Sequence, residues 1–193
     1  MIIGISGKIG SGKDTLSIVI NYLADKSAPD SFNRWEQPLE EYTYKNKKYA
    51  ENLKCMVCFL IGCNRIDLED REFKEKELGK EWDGLTPRKI LQLLGTEAGR
   101  EIIHPNIWVN SLFADYTTDS NWIITDVRFP NEAQAIKDRG GIVVRIERPG
   151  GESHCGGAHA SETALDDYDF DIVINNDGTI EELIDKVKQL NLV

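Results

Sequence analysis

Near the start of the chain, Gly7-Lys8-Ile9-Gly10-Ser11-Gly12-Lys13 has the spacing G-x-x-x-x-G-K, followed by Asp14 and Thr15. Glycines so spaced let a loop turn its backbone N–H groups inward around an anion. A helix beginning at the lysine adds the positive end of its dipole. The chemistry this suits is the holding of a polyphosphate, with Lys13 reaching the outer phosphates. Gly7, Ile9, Gly10, Ser11, Gly12, Lys13, Asp14 and Thr15 are its expected contacts; the bland alternative is a glycine-rich turn without a ligand. The hydroxyl that usually follows the lysine is displaced by one position, to Thr15. An aspartate beside a triphosphate is costly unless it meets Mg²⁺, a water or an arginine. Asp14 and Thr15 are therefore candidate Mg²⁺ ligands, unless Asp14 only complements the helix dipole.

A second carboxylate stands at Asp126, after the apolar run Ile123-Ile124 and Thr125, where a strand end would present it to phosphate-bound Mg²⁺. Arg128 follows two residues later. Arg145 and Arg148 flank the end of the next expected strand and lead into Pro149-Gly150-Gly151-Glu152-Ser153-His154-Cys155-Gly156-Gly157. A glycine-hinged lid over about 149–160, carrying cations, would close over reacting phosphates and exclude water. Arg128, Arg145 and Arg148 join Lys13 as candidate catalytic groups; solvated surface arginines are the competing reading. Arg100 ends a helical stretch that contains Gly95 and Gly99, which suggests close approach by a backbone or a ligand. Cys55, Cys58 and Cys63 have zinc-like spacing, but they lie on an apolar helix face where cysteine behaves as a small hydrophobe.

The elements that must position these groups alternate. Strands are expected at 1–6, 122–125, 142–146 and 172–174, with helices over 14–25, 50–61, 86–100, 106–116 and 180–190. Thr179 and Glu182 have capping-box spacing for the last helix. Residues 27–48 are polar, broken by Pro29 and Pro38, and give no clear signal. Residues 64–84 read as a charged insertion, a solvated helix or a flap. Apolar strands unrelieved by polar alternation predict an α/β fold, a doubly wound and mainly parallel sheet covered on both faces. The chain of 193 residues suits a single domain over 1–193. With 40% apolar and 29% charged residues, wholesale disorder is excluded. A net charge of −10 argues against long nucleic acid as a partner. The longest apolar run is too short for a bilayer, and four cysteines without a secretory signal are expected to be reduced thiols of the cytoplasm.

These residues resemble a known family. The loop, Ala50-Glu51-Asn52-Leu53-Lys54, the stretch 91–100 with Trp108-Val109, Asp126-Val127-Arg128-Phe129-Pro130-Asn131-Glu132 and His159-Ala160-Ser161-Glu162 occur in this order. Together they look like the deoxynucleoside monophosphate kinases of bacteriophages, a P-loop (Walker A) kinase family distantly similar to phosphomevalonate kinase. The resemblance implies transfer of the ATP γ-phosphate to a deoxynucleoside 5′-monophosphate, a doubly wound sheet and a homodimer. Mg²⁺ is the expected cofactor, and the cytoplasm (of the host, if the origin is a phage) the expected place. The resemblance places Lys54, Arg100 and Arg128 toward the acceptor and Asn176 near adenine, and makes His159 and Glu162 candidates for nucleotide contacts, against a plain helix-start carboxylate for Glu162. Of the tryptophans, which ordinarily pack in a core or on a surface, Trp108 is the candidate to stack on the substrate's base. His104 stands where an acidic residue is expected.

The acceptor's phosphate has a second pKa near about 6, so its attacking oxygen is already anionic at neutral pH and needs no general base. The demand is instead for cations to join two charged phosphates, which Lys13, Mg²⁺ and the arginines meet. A kinase of another phosphorylated metabolite, of phosphomevalonate or dephospho-coenzyme A type, and a nucleotide-binding switch are the alternatives.

Overall fold

The computed structural model describes residues 1–35, 42–149 and 163–192, apart from the side chain of Arg34. The chain clusters into two compact units, Met1–Lys47 with Thr117–Val193, and Lys48–Tyr116. Its strands are β1 (Ile2–Ser6), β2 (Lys45–Lys47), β3 (Trp122–Ile124), β4 (Ile142–Glu147) and β5 (Ile172–Asn175). Its helices are α1 (Lys13–Ala24), α2 (Glu51–Ile61), α3 (Arg71–Glu75), α4 (Pro87–Gln92), α5 (Ile107–Leu112), α6 (Pro130–Lys137) and α7 (Ile180–Gln189).

The five strands of the described residues lie in the first unit, in the order β2-β3-β1-β4-β5, and every pairing is parallel. β1 is buried at every position because both its faces are covered. On one face Ile3, Ile5, Val144, Ile146 and Ile174 pack with Leu16, Val19 and Ile20 of α1 and Leu183 and Val187 of α7. On the other, α6 packs against β1 and β4. There, a Cβ at Gly4 would come within 2.5 Å of Ile136 Cδ1, so the close approach of α6 requires the glycine. β1 has β3 on one side and β4 on the other, so the crossover from β3 to β4 makes the carboxyl end of β1 the switch point of the sheet, where open α/β sheets bind ligands. The expected α/β class and doubly wound parallel sheet are what the chain forms.

β2 is a fifth strand, in a stretch that gave no sequence signal. Lys45-Asn46-Lys47 has no apolar residue to announce it. It is held from outside, by Lys45 N–H donating to Asn121 O (2.8 Å) and by Ser17 Oγ–H donating to Asn46 Oδ1 (2.6 Å).

The second unit is helical. Thr86 caps α4, its hydroxyl accepting from Lys89 N–H at 3.1 Å, with Pro87 in the first turn as expected. The α-helix expected to run toward Arg100 ends at Gln92 and continues as a wider π-helix, Leu93–Ile103. At its end the His104 N–H reaches back five residues to Gly99 O, 3.0 Å away. The charged insertion is not one solvated helix. It comprises the short α3, capped by Asp70 through Phe73 N–H (2.7 Å), and single turns at Asp67–Glu69 and Lys80–Trp82. Leu68, fully buried, anchors it. Among the described residues no helix is long and apolar enough to cross a membrane.

Candidate active site

The loop between β1 and α1 is shaped by its glycines. Gly10 (φ 76°) and Gly12 (φ 99°) take left-handed backbone that L side chains rarely adopt. Gly7 leaves no room for a side chain, since a Cβ there would lie 2.5 Å from Ser11 Oγ and 2.6 Å from Ile146 O. No side chain caps the N-terminus of α1, so the first-turn N–H groups stay directed at the loop's hollow. Lys13 arches back over the loop, its ammonium donating to Gly7 O (2.8 Å) and Lys8 O (2.9 Å). Burial, and then the charge of Arg128, push the Lys13 pKa down to about 8; Arg145 adds to this, while Asp14 and Asp126 oppose it. These four charged groups are therefore gathered around one ammonium. Ile9 is exposed, and Ser11 is buried with its hydroxyl lacking a hydrogen bond among the described residues.

Asn176, expected near adenine, is engaged with the loop itself. Its side-chain amide donates to Ser11 O at 2.9 Å, and its backbone N–H donates to Glu147 O at 2.7 Å.

Arg128 is exposed on the turn between β3 and α6. That turn is fixed by Glu132, 2% exposed, whose Oε2 accepts from the N–H groups of Arg128 (2.7 Å) and Phe129 (3.1 Å). Phe129 has no side-chain acceptor, so only the returning half of a capping box exists here. The spacing of Glu132 behind Pro130 was the sequence signal for this role. Arg145 does not flank the strand end. It lies within β4, in register with Ser6, and is 7% exposed. Its Nη1 donates to Ser6 Oγ (3.2 Å), and its guanidinium stands 5.4 Å over the Phe170 ring. Arg148 follows the strand and is exposed.

In the helical unit Lys54 donates to both oxygens of Glu69 (2.8 and 3.0 Å), and Glu69 also accepts from Arg65 (2.6 Å), which forks onto Glu51 (2.8 and 2.7 Å). These cations hold the Glu69 carboxyl down at about 2, against the opposing effect of its burial. Arg100 is half-buried on the π-helix. Trp108 is 5% exposed, its indole N–H donating to Gly95 O (2.7 Å) and its ring against Gly99. The ring thus packs against both glycines of the π-helix. Cys58 and Cys63 thiols touch (3.6 Å), and among the described residues no group of three His, Cys, Asp or Glu could hold a metal. His159 and Glu162, and nearly all of the expected lid, lie outside the described residues.

Comparison with known proteins bears on this arrangement. The sequence profile of the family described as deoxynucleotide monophosphate kinase matches residues 41–187. A provisionally named deoxynucleotide monophosphate kinase of Acanthamoeba polyphaga mimivirus is 32% identical, over 99% of this chain and 100% of that protein. The deoxynucleotide monophosphate kinase of Enterobacteria phage T4 is 33% identical over 55% of this chain and 45% of its own length. The deoxynucleoside-5′-monophosphate kinase of Escherichia phage T5 is 26% identical over 72% of each chain.

Proposed function

Because the chain belongs to the deoxynucleotide monophosphate kinase family, its reaction is phosphorylation of a deoxynucleoside monophosphate; we propose that the phosphoryl group comes from the γ-position of ATP held on residues 7–13. The observation that carries this is the loop: two left-handed glycines, an uncapped helix start and a lysine already arched over the hollow. Lys13 would exchange its bonds to Gly7 O and Lys8 O for the outer phosphate oxygens. Arg128, held in place by Glu132, would neutralise charge on the transferring group, and Arg145 and Arg148 would add to the same field. Lys54 and Arg100 would hold the acceptor's phosphate, Lys54 by leaving Glu69.

Asp14 and Asp126 both act on Lys13 through their charge. Hard carboxylate oxygens beside a phosphate site suit Mg²⁺, which takes one or two carboxylates plus phosphate oxygens rather than a full protein cage. Asp14, Thr15 and Asp126 would hold it, and bound Mg²⁺ supplies neutralisation of the triphosphate charge. No residue need remove a proton, because the acceptor oxygen is anionic at neutral pH. A homodimer and a cytoplasmic site of action, where ATP and deoxynucleoside monophosphates meet, complete the reading; sedimentation of the purified protein tests the first.

The test of the reaction is release of ADP with a panel of acceptors. Stimulation by deoxynucleoside monophosphates, with the deoxynucleoside diphosphate as product, is expected. Stimulation by phosphomevalonate or dephospho-coenzyme A instead would redirect the assignment, and ATP hydrolysis indifferent to every acceptor would favour a switch.

A further inference from the structure

Asp166 lies between β4 and β5, far in sequence from the glycine loop, yet it stands against two cations of the phosphate end of the sheet. Its carboxylate is 3.3 Å from Lys8 Nζ, on the loop, and 3.7 Å from Arg145 Nη2, on β4. Resting on the reading that residues 7–13 hold a polyphosphate, we propose that Asp166 is a stand-in anion: in the empty enzyme it balances Lys8 and Arg145, and an arriving polyphosphate displaces it.

The geometry of Arg145 leads to this. A guanidinium has five N–H donors, and a buried one should use them. Arg145 is 7% exposed, and among the described residues its hydrogen bond goes to Ser6 Oγ. Its Nε is buried and has no hydrogen bond among the described residues, although Glu147 Oε1 is 3.5 Å away. Charge-assisted N–H···O bonds normally close to about 2.7–2.9 Å. Both contacts of Asp166 are longer than this, so they compensate charge without locking either cation. Glu147 touches only Arg145 in this set; Asp166 alone of the two spans loop and strand. Lys13 senses the charge of Arg145 directly, so the guanidinium belongs to the field that a polyphosphate on the loop would enter. An anion whose oxygens reach hydrogen-bonding distance would satisfy the donors that Asp166 leaves open.

Removing the stand-in should therefore strengthen anion binding. The probe is inorganic tripolyphosphate, titrated calorimetrically into wild type, Asp166→Asn, Asp166→Ser, Asp166→Glu and Asp167→Asn, with thermal unfolding to confirm that each is folded. Breaking a loose, half-exposed ion pair corresponds to roughly three- to fivefold in affinity. Asp166→Asn and Asp166→Ser are expected to bind tighter by that factor. Asp166→Glu, which keeps the charge, and Asp167→Asn, which removes the neighbouring exposed carboxylate, are expected to stay within about 1.5-fold of wild type. Unchanged or weaker binding by Asp166→Asn overturns the proposal, as does equal tightening by Asp167→Asn, which would reduce it to net charge. Wild type that binds no tripolyphosphate overturns the phosphate reading of the loop and Asp166 with it; wild type that binds while Asp166→Asn does not tighten overturns Asp166 alone.

Discussion

The side-chain amide of Asn176 donates to the carbonyl oxygen of Ser11 at 2.9 Å, tying the loop after β5 to the middle of the phosphate loop. The same amide would lie 2.5 Å from a Cβ at Gly12. One side chain thus both holds the loop's shape and forbids growth at its last glycine.

Asn176→Ala should loosen the loop without touching the reacting groups. The expected outcome is a rise of about tenfold in the KM for ATP, equivalent to one buried hydrogen bond, with kcat nearly unchanged. Gly12→Ala should abolish ATP binding, because it adds left-handed strain of about 1–2 kcal/mol to the collision. Adding Asn176→Ala to Gly12→Ala should recover part of the lost thermal stability but not the binding, since only the collision is relieved. Steady-state kinetics and thermal unfolding of the three variants check this.

Lys13, lowered to about 8 by burial and by Arg128, gives ATP binding a pH dependence. Above that value the empty enzyme carries a neutral amine, so affinity for ATP should fall as pH rises through about 8, and binding there should take up a proton. Stability moves the other way. The unfolded chain holds the Lys13 proton up to 10.5 and the folded chain only to about 8, so the burial penalty is in force below pH 8 and is relieved between these values. Calorimetric titration in buffers of different ionisation enthalpy measures the proton uptake. Lys13→Arg, permanently charged, should remove it.

Arg128 and Glu132 form a cation and its support. Arg128→Ala should lower turnover on the order of a thousandfold with the fold intact, as for loss of an arginine that stabilises transferring phosphoryl charge. Glu132→Ala should lower turnover as well, but it should also cost about 1–2 kcal/mol of stability, because two partly buried N–H groups lose their charged acceptor. The difference between the variants in thermal unfolding, at similar kinetic loss, separates action at the phosphate from positioning.

Trp108 and Gly99 offer a test confined to the helical unit. A Cβ at Gly99 would meet Leu94 O at 2.6 Å and the Trp108 ring at 3.0 Å, so Gly99→Ala should destabilise by about 1–3 kcal/mol. Trp108→Phe should cost about 1 kcal/mol through the lost bond to Gly95 O. Because their targets are in contact, the two effects should not add; a double-variant unfolding cycle measures the coupling.

What the sequence revealed was what local spacing encodes. β1, the glycine loop and α1 follow one another without interruption, so strand, loop and helix signals reinforce each other. Thr179 and Glu182 make both halves of the capping box of α7. What stayed hidden depends on partners distant in the chain. β2 is held by bonds to Asn121 and Ser17, which its polar residues do not announce. Asp166 and Lys8 are 158 positions apart. The helix widens after Gln92, in the stretch where Trp108 donates to Gly95 O and lies against Gly99, while helical periodicity alone gives an ordinary α-helix. Arginines near a strand end looked alike in the sequence, while the fold buries Arg145 and exposes Arg148.

The brevity of β2 also shapes how the protein behaves in a crowd. A sheet margin with open amide groups is a template on which other chains can polymerise. Here that margin is three residues long and carries Lys45 and Lys47 on either side of Asn46, with Lys47 folded across the Trp122 ring at 4.5 Å. An incoming strand would find too few rungs and two like charges to bury, which guards this side of the molecule against fibrillar stacking during refolding at high concentration.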